Sequence, residues 1–192
     1  NDLDGLGGLI HRMPQTAMFF LVGCLAISGL PPLNGFVSEW LTFQVALQAP
    51  AIESGVLRSI IPITAAMLAL SAALAAVCFV KVYGVAFLGL PRSRHAARAR
   101  EVPLGMLIGM GMLAVLCLVL GILPTTVIGA LKVVAQSLIG EVPTQMTAHG
   151  WLWLTPVSAE VASYSAPLVF AAIAITFLVG RALLRHKANP IR

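Results

Sequence analysis

Charge is scarce in this chain. Of 192 residues, 12 are Lys or Arg and 7 are Asp or Glu, together 10%. A soluble fold needs a polar face on most of its elements, and so few charges cannot supply one. The cations exceed the anions, for a formal net charge of +5. They fall in short runs between apolar blocks rather than on one exposed face, which excludes a nucleic-acid partner. Cysteine is equally sparse. Cys24, Cys78 and Cys117 stand singly within apolar runs, where a thiol packs as a small hydrophobe, and no pair has disulfide-framework or metal-ligand spacing. His11, His95, His149 and His186 are far apart and outside those runs, so neither a metal nor an iron–sulfur site is supported. Gly5-Leu6-Gly7-Gly8 lacks the spacing of a dinucleotide loop and precedes no strand.

What the chain has in abundance is hydrophobicity: 59% apolar residues and a mean hydropathy of +0.95. It reads as an integral membrane protein. It begins at Asn1 without a signal-peptide pattern, and is expected to be a piece of a longer polypeptide. A bilayer core of roughly 30 Å needs about 20 apolar residues in a helix, and helices are the spans that satisfy their own backbone here. The expected fold is all-α: a polytopic transmembrane bundle, one membrane domain over 1–192, with about four spans at 14–48, 60–88, 103–123 and 165–184. The stretch Thr125–Gly140, with Lys132 as its one charge, is expected to lie along the interface.

The first stretch is too long for one straight span and holds Gly29-Leu30-Pro31-Pro32-Leu33-Asn34-Gly35 at its middle. Two consecutive prolines remove two amide donors and clash with the preceding turn, so the helix breaks over 29–35. Glycines on either side let the chain unwind and restart. Gly29, Pro31, Pro32, Asn34 and Gly35 are the candidate break residues. Four crossings put both ends and the Pro91–Glu101 loop on one side. That side collects Arg12, Arg92, Arg94, Arg98, Arg100, Arg181, Arg185, Lys187 and Arg192, against Arg58 and Lys132 opposite. The positive-inside rule makes it cytoplasmic. Trp151, Trp153 and Tyr164 precede the last span, where an aromatic belt would sit on the outer face.

Two charges fall inside the apolar runs. An ionisable side chain at a membrane helix centre costs at least about 2.5–3.5 kcal/mol, which makes each a candidate functional residue. Glu39 follows the Pro-Pro pair by seven residues. A second half-helix starting near Phe36 would place it in the first turn. There burial favours the neutral acid, while free amides and the helix dipole favour the anion. A carboxyl group balanced in this way suits a proton relay; the alternative is a structural cap on free amides. Lys81 has two readings also: a stem that snorkels to the headgroups, or a cation facing the bundle interior that tunes or relays protons, with Tyr83 a hydrogen-bonding neighbour. Gly105 and Gly109 form a Gly-xxx-Gly pair suited to close helix packing. The Arg-rich loop 92–100 is a topology signal and a candidate contact for a cytoplasmic subunit or anionic lipid.

Gly7-Gly-Leu-Ile-His-Arg-Met-Pro14 and Ala26-Ile-Ser-Gly-Leu-Pro-Pro-Leu-Asn-Gly-Phe-Val-Ser-Glu-Trp40 resemble the antiporter-like proton-translocating membrane subunits of the complex I / group 4 hydrogenase superfamily. Within it, Glu39 and the run Val77–Arg92 are most similar to the hydrogenase-4 component B / formate hydrogenlyase subunit 3 branch. The resemblance covers residues 1 to about 125. It implies that 14–48 is the broken helix of a second inverted repeat and that Glu39 is its proton-carrying residue. It also implies a bacterial or archaeal cytoplasmic membrane, and partner membrane and peripheral subunits of a hydrogenase or NADH:quinone oxidoreductase-like complex. Nickel–iron and iron–sulfur centres are expected in those partners, and no cofactor in this chain. The alternatives are a subunit of a multi-subunit Na⁺/H⁺ antiporter, and a membrane anchor that docks a peripheral enzyme without pumping.

Overall fold

The computed structural model describes residues 3–139, 152–154 and 164–187. Among them every extended element is helical: α1 (Pro14–Ile27), α2 (Asn34–Leu47), α3 (Gly55–Phe87), the short α4 (Arg94–Ala97), α5 (Leu104–Ile122), α6 (Pro124–Ile139) and α7 (Ala166–Lys187). Single 3-10 turns occur at Leu3–Gly5, Leu9–His11 and Ala49–Ala51. The all-α expectation holds at that level. Two helices, α3 and α5, are long and apolar enough to cross a bilayer, and Pro14–Ile27 and Ala166–Ala182 are shorter apolar helices.

Element bounds differ from expectation in one informative place. The second span was expected from residue 60, whereas α3 starts at Gly55 and runs 33 residues. Arg58, a charge that argues against an early start, turns its guanidinium back onto the Ile52 carbonyl (2.9 Å from Nη2). Pro62 sits within the helix, where it lacks the amide that would donate to the Arg58 carbonyl.

The described chain forms two compact units, Asn1–Gly121 and Ile122–Arg192. In the first, α1 lies against α3. Ala17, Ala86 and Phe87 are buried together, with Leu6, Leu9, Ile10 and Tyr83 around them. The Phe87 ring stacks on Tyr83 at 5.1 Å between centroids and meets Phe20 at 5.2 Å. The segment before α1 closes this end: the Gly8 amide donates to the Leu88 carbonyl (3.0 Å). A Cβ on Gly7 would come within 2.5 Å of the Leu90 carbonyl oxygen, so the backbones approach at a distance that only glycine allows.

Glu101 ties the loop before α5 to the same end. Its carboxylate accepts from the Gln15 amide (3.0 Å) and the Thr16 hydroxyl (2.5 Å). These groups belong to the first turn of α1, whose leading amides have no helical acceptor. Burial pushes the Glu101 carboxyl up, but the Thr16 hydroxyl and the Gln15, Val102 and Thr16 amides together hold it below the ordinary carboxylate range. The start of α1, the end of α3 and the start of α5 therefore converge.

α5 packs along α1 through Gly111, where a Cβ would meet Phe19 at 3.2 Å, and reaches the break through Gly121. The expected Gly105/Gly109 pair makes no close contact among the described residues: a Cβ on either would meet nothing within 4 Å. The seam lies on a different face of the helix.

The second unit holds α6 and α7. Leu154 and Tyr164 exchange two backbone hydrogen bonds of 2.9 and 3.0 Å. Trp151 lies outside the described residues and Trp153 is exposed, but Tyr164 is buried, so its ring is not presented as a belt residue would be.

Candidate functional site

The break is built as its composition requires. α1 ends at Ile27, with Ser28 as C-cap and Gly29 next at φ 62°. The Gly29 amide donates to the Ala26 carbonyl (3.3 Å) and the Leu30 amide to the Leu25 carbonyl (3.2 Å). This is a Schellman cap, whose left-handed residue is glycine for want of a Cβ. The Leu33 amide then donates to the Leu30 carbonyl (3.1 Å), closing a turn over Pro31 and Pro32, and the peptide bond between them is cis. Neither proline has an amide to satisfy, so the turn places them where no donor is needed.

α2 starts at Asn34, two residues before the expected Phe36. Glu39 is thus the sixth residue of its helix, in the second turn. This corrects the expected placement beside free amides at the helix start. Its carboxylate is found instead on the other side of the break. A Cβ added to Gly29 would overlap one Glu39 carboxylate oxygen, would lie 2.9 Å from its carboxyl carbon and would lie 3.1 Å from its second oxygen. Side chains in a helix lean toward its N-terminus, and from α2 that direction leads to the end of α1. The amides of Gly29 and Leu30 are already engaged by α1 carbonyls. Glu39 is half-buried, and among the described residues it accepts no hydrogen bond and forms no ion pair. A cap would be hydrogen-bonded to the amides it satisfies; Glu39 is not.

Two further glycines hold this geometry. A Cβ on Gly35 would overlap the Ala26 carbonyl oxygen, so the start of α2 rests directly on the last turn of α1. A Cβ on Gly121 would overlap the Pro32 carbonyl oxygen and lie 2.6 Å from the Leu33 Cα, so α5 presses on the turn itself. Leu33 and Val37 are buried. Asn34 Oδ1 is buried and accepts no hydrogen bond among the described residues, leaving an acceptor within the break. The structure brings Gly29, Pro32, Gly35 and Glu39 together. It does not bring Lys81 to them by any contact: Lys81 is exposed on α3, and Tyr83 stacks on Phe87.

Sequence reasoning missed Gly121 and Glu101. Gly121 had the bare signal of a glycine near the end of an apolar helix. Glu101 had the signal of an isolated acid at the edge of an arginine-rich loop. Among the described residues no three His, Cys, Asp or Glu side chains gather as a metal site would require.

Residues 1–67, which contain α1, the break and α2, match the family described as NADH:quinone oxidoreductase/Mrp antiporter, transmembrane. The chain is 48% identical over 122 residues to hydrogenase-4 component B of Escherichia coli, covering 64% of this chain and 18% of the relative. It is 40% identical over 121 residues to formate hydrogenlyase subunit 3 of the same organism, covering 63% and 20%. It is 28% identical over 194 residues to Na⁺/H⁺ antiporter subunit A1 of Staphylococcus saprophyticus, covering 99% and 24%. The chain spans about a fifth of the length of these curated relatives. The matched family is described as transmembrane, which supports a membrane location for this chain.

Proposed function

We propose that this chain is part of a proton-translocating membrane subunit of a hydrogenase or NADH:quinone oxidoreductase-like complex, and that Glu39 carries the proton through the break. The observation that carries this reading is the half-buried Glu39 carboxylate lying against Gly29 between two helix halves, with no hydrogen-bond donor or counter-charge among the described residues. An acid within an apolar span is a net cost that a structural role alone does not offset. Broken helices are where membrane transporters place ion sites, because unwound backbone is tolerated where it lines a path. The Asn34 Oδ1 acceptor in the same break supports the path.

In this reading the chain crosses a bacterial or archaeal cytoplasmic membrane four times, with α6 along the interface and both described ends in the cytoplasm. Redox centres reside in partner subunits, and this chain supplies no cofactor ligand. Electron transfer there alters the hydration and electrostatics around Glu39, and so its access to either side. Lys81, exposed on α3, serves as an accessory cation toward a neighbouring helix.

Glu39→Gln in the full-length complex tests this. Reconstituted vesicles should lose coupled proton uptake while the complex assembles and electron transfer continues; normal uptake rejects the relay. The similarity to an Na⁺/H⁺ antiporter subunit across 99% of the chain supports a second reading, cation exchange through the same break. Sodium-dependent proton movement without an electron donor distinguishes it.

A further inference from the structure

The convergence of three helix termini gathers positive charge at one end of the first unit. Arg12 precedes α1, and Arg92, Arg94, Arg98 and Arg100 follow α3; all five are exposed. The two segments meet through Gly8 and Leu88, and a Cβ on Gly7 would come within 3.4 Å of Arg92 Cγ. Among the described residues none of the five guanidinium groups forms an ion pair. The acid in their midst, Glu101, turns its oxygens onto α1 instead.

Beneath this end an apolar cleft of about 300 Å³ runs between α1, α3 and α5, lined among others by Phe19, Gly23, Phe79, Met110, Leu113 and Cys117. It starts at Phe19 on α1 and Met110 on α5, roughly 7.5 and 9 Å along the axis from the first residue of each helix. It reaches Ile27 and Cys117, roughly 10–12 Å further. Phe20, Ile27 and Leu113 at its edge are 38, 56 and 60% exposed, so the cleft opens sideways along the helices.

We propose that this end of the unit binds an anionic phospholipid, with its phosphate on the arginines and one acyl chain along the cleft. Unpaired guanidinium groups above and an apolar groove below are the two halves of that ligand. Arginine meets a phosphate with paired N–H donors, and each basic residue near a membrane surface strengthens anionic lipid binding. The proposal is independent of the proton path through Glu39.

The test uses the full-length subunit in its complex, depleted of lipid in detergent and titrated with phosphatidylglycerol, phosphatidylcholine or glycerol 3-phosphate, with bound lipid read by native mass spectrometry. Phosphatidylglycerol should bind at least tenfold more tightly than phosphatidylcholine. Arg94→Gln with Arg98→Gln should weaken phosphatidylglycerol roughly thirtyfold, near fivefold per cation. Lysine at both positions should restore most of it. Leu113→Trp, which narrows the cleft, should weaken both lipids alike, and glycerol 3-phosphate should not displace either. Equal affinity for the two lipids, or no effect of the glutamine pair, overturns the proposal. So does displacement by glycerol 3-phosphate, which needs no cleft. Loss of a peripheral subunit in the glutamine pair with lipid binding unchanged assigns the cations to a protein contact and overturns it too.

Discussion

Gly29→Ala separates the seat of the Glu39 carboxylate from the stability of the break. The residue has φ 62°, where a Cβ costs about 1–2 kcal/mol by its clash with the following carbonyl. Gly89 supplies the control: it has φ 76°, and a Cβ there would meet nothing within 4 Å. Gly89→Ala therefore incurs the backbone penalty alone. At Gly29 the added methyl also takes the space now held by the carboxylate. That group is the end of a flexible side chain and can rotate away, so the extra cost should stay below about 1 kcal/mol, the scale of one off-rotamer angle. The two substitutions should thus destabilise the purified full-length subunit about equally, as read by unfolding in detergent. They should differ in proton uptake by reconstituted vesicles, where Gly29→Ala is impaired and Gly89→Ala is not. Normal uptake by Gly29→Ala, with Glu39→Gln inactive, would refute the claim that the carboxylate must rest at the break. A stability loss several kcal/mol beyond that of Gly89→Ala would refute the claim that it is free to move.

Gly35→Ala and Gly121→Ala should behave differently, because the atoms they meet are backbone and cannot rotate aside. Each should destabilise by about 3 kcal/mol or more, the upper end of overpacking, and a cost near that of Gly89→Ala would contradict the close approach of α1, α2 and α5. Glu101→Gln should remove about 0.5–1 kcal/mol, the lower part of the range for helix caps because the group is partly open to water. The hydrogen bonds hold the Glu101 carboxyl low in the folded state. Its contribution is therefore complete above the unfolded carboxyl value and is lost as pH falls through the lower folded value. Unfolding measured against pH should show this acid-side decline in the parent and a shallower one in Glu101→Gln.

The break was legible in the sequence because Pro31 and Pro32 lack donors and no helix can run through them. Its exact exit was not. Asn34 and Gly35 read as loop residues, yet the turn closes at Leu33 and α2 begins at once, which moves Glu39 from the first turn to the second. The contact of Glu39 with Gly29 depends on how the two halves fold back, and a linear pattern holds no record of that. Glu101 illustrates the same limit more sharply: 86 residues separate it from Gln15, and only tertiary packing brings an acid from one loop to the start of another helix. Gly105 and Gly109 show the converse, a spacing suited to packing on a face that meets no other described residue of this chain.

Whether the Glu39 carboxyl exchanges its proton during turnover can be read directly by infrared difference spectroscopy on the full-length complex. The expected result is a protonated-carboxyl band that rises and falls with electron transfer and is missing from Glu39→Gln. A spectrum without such a band, or with one that survives the substitution, would contradict a proton path through this residue.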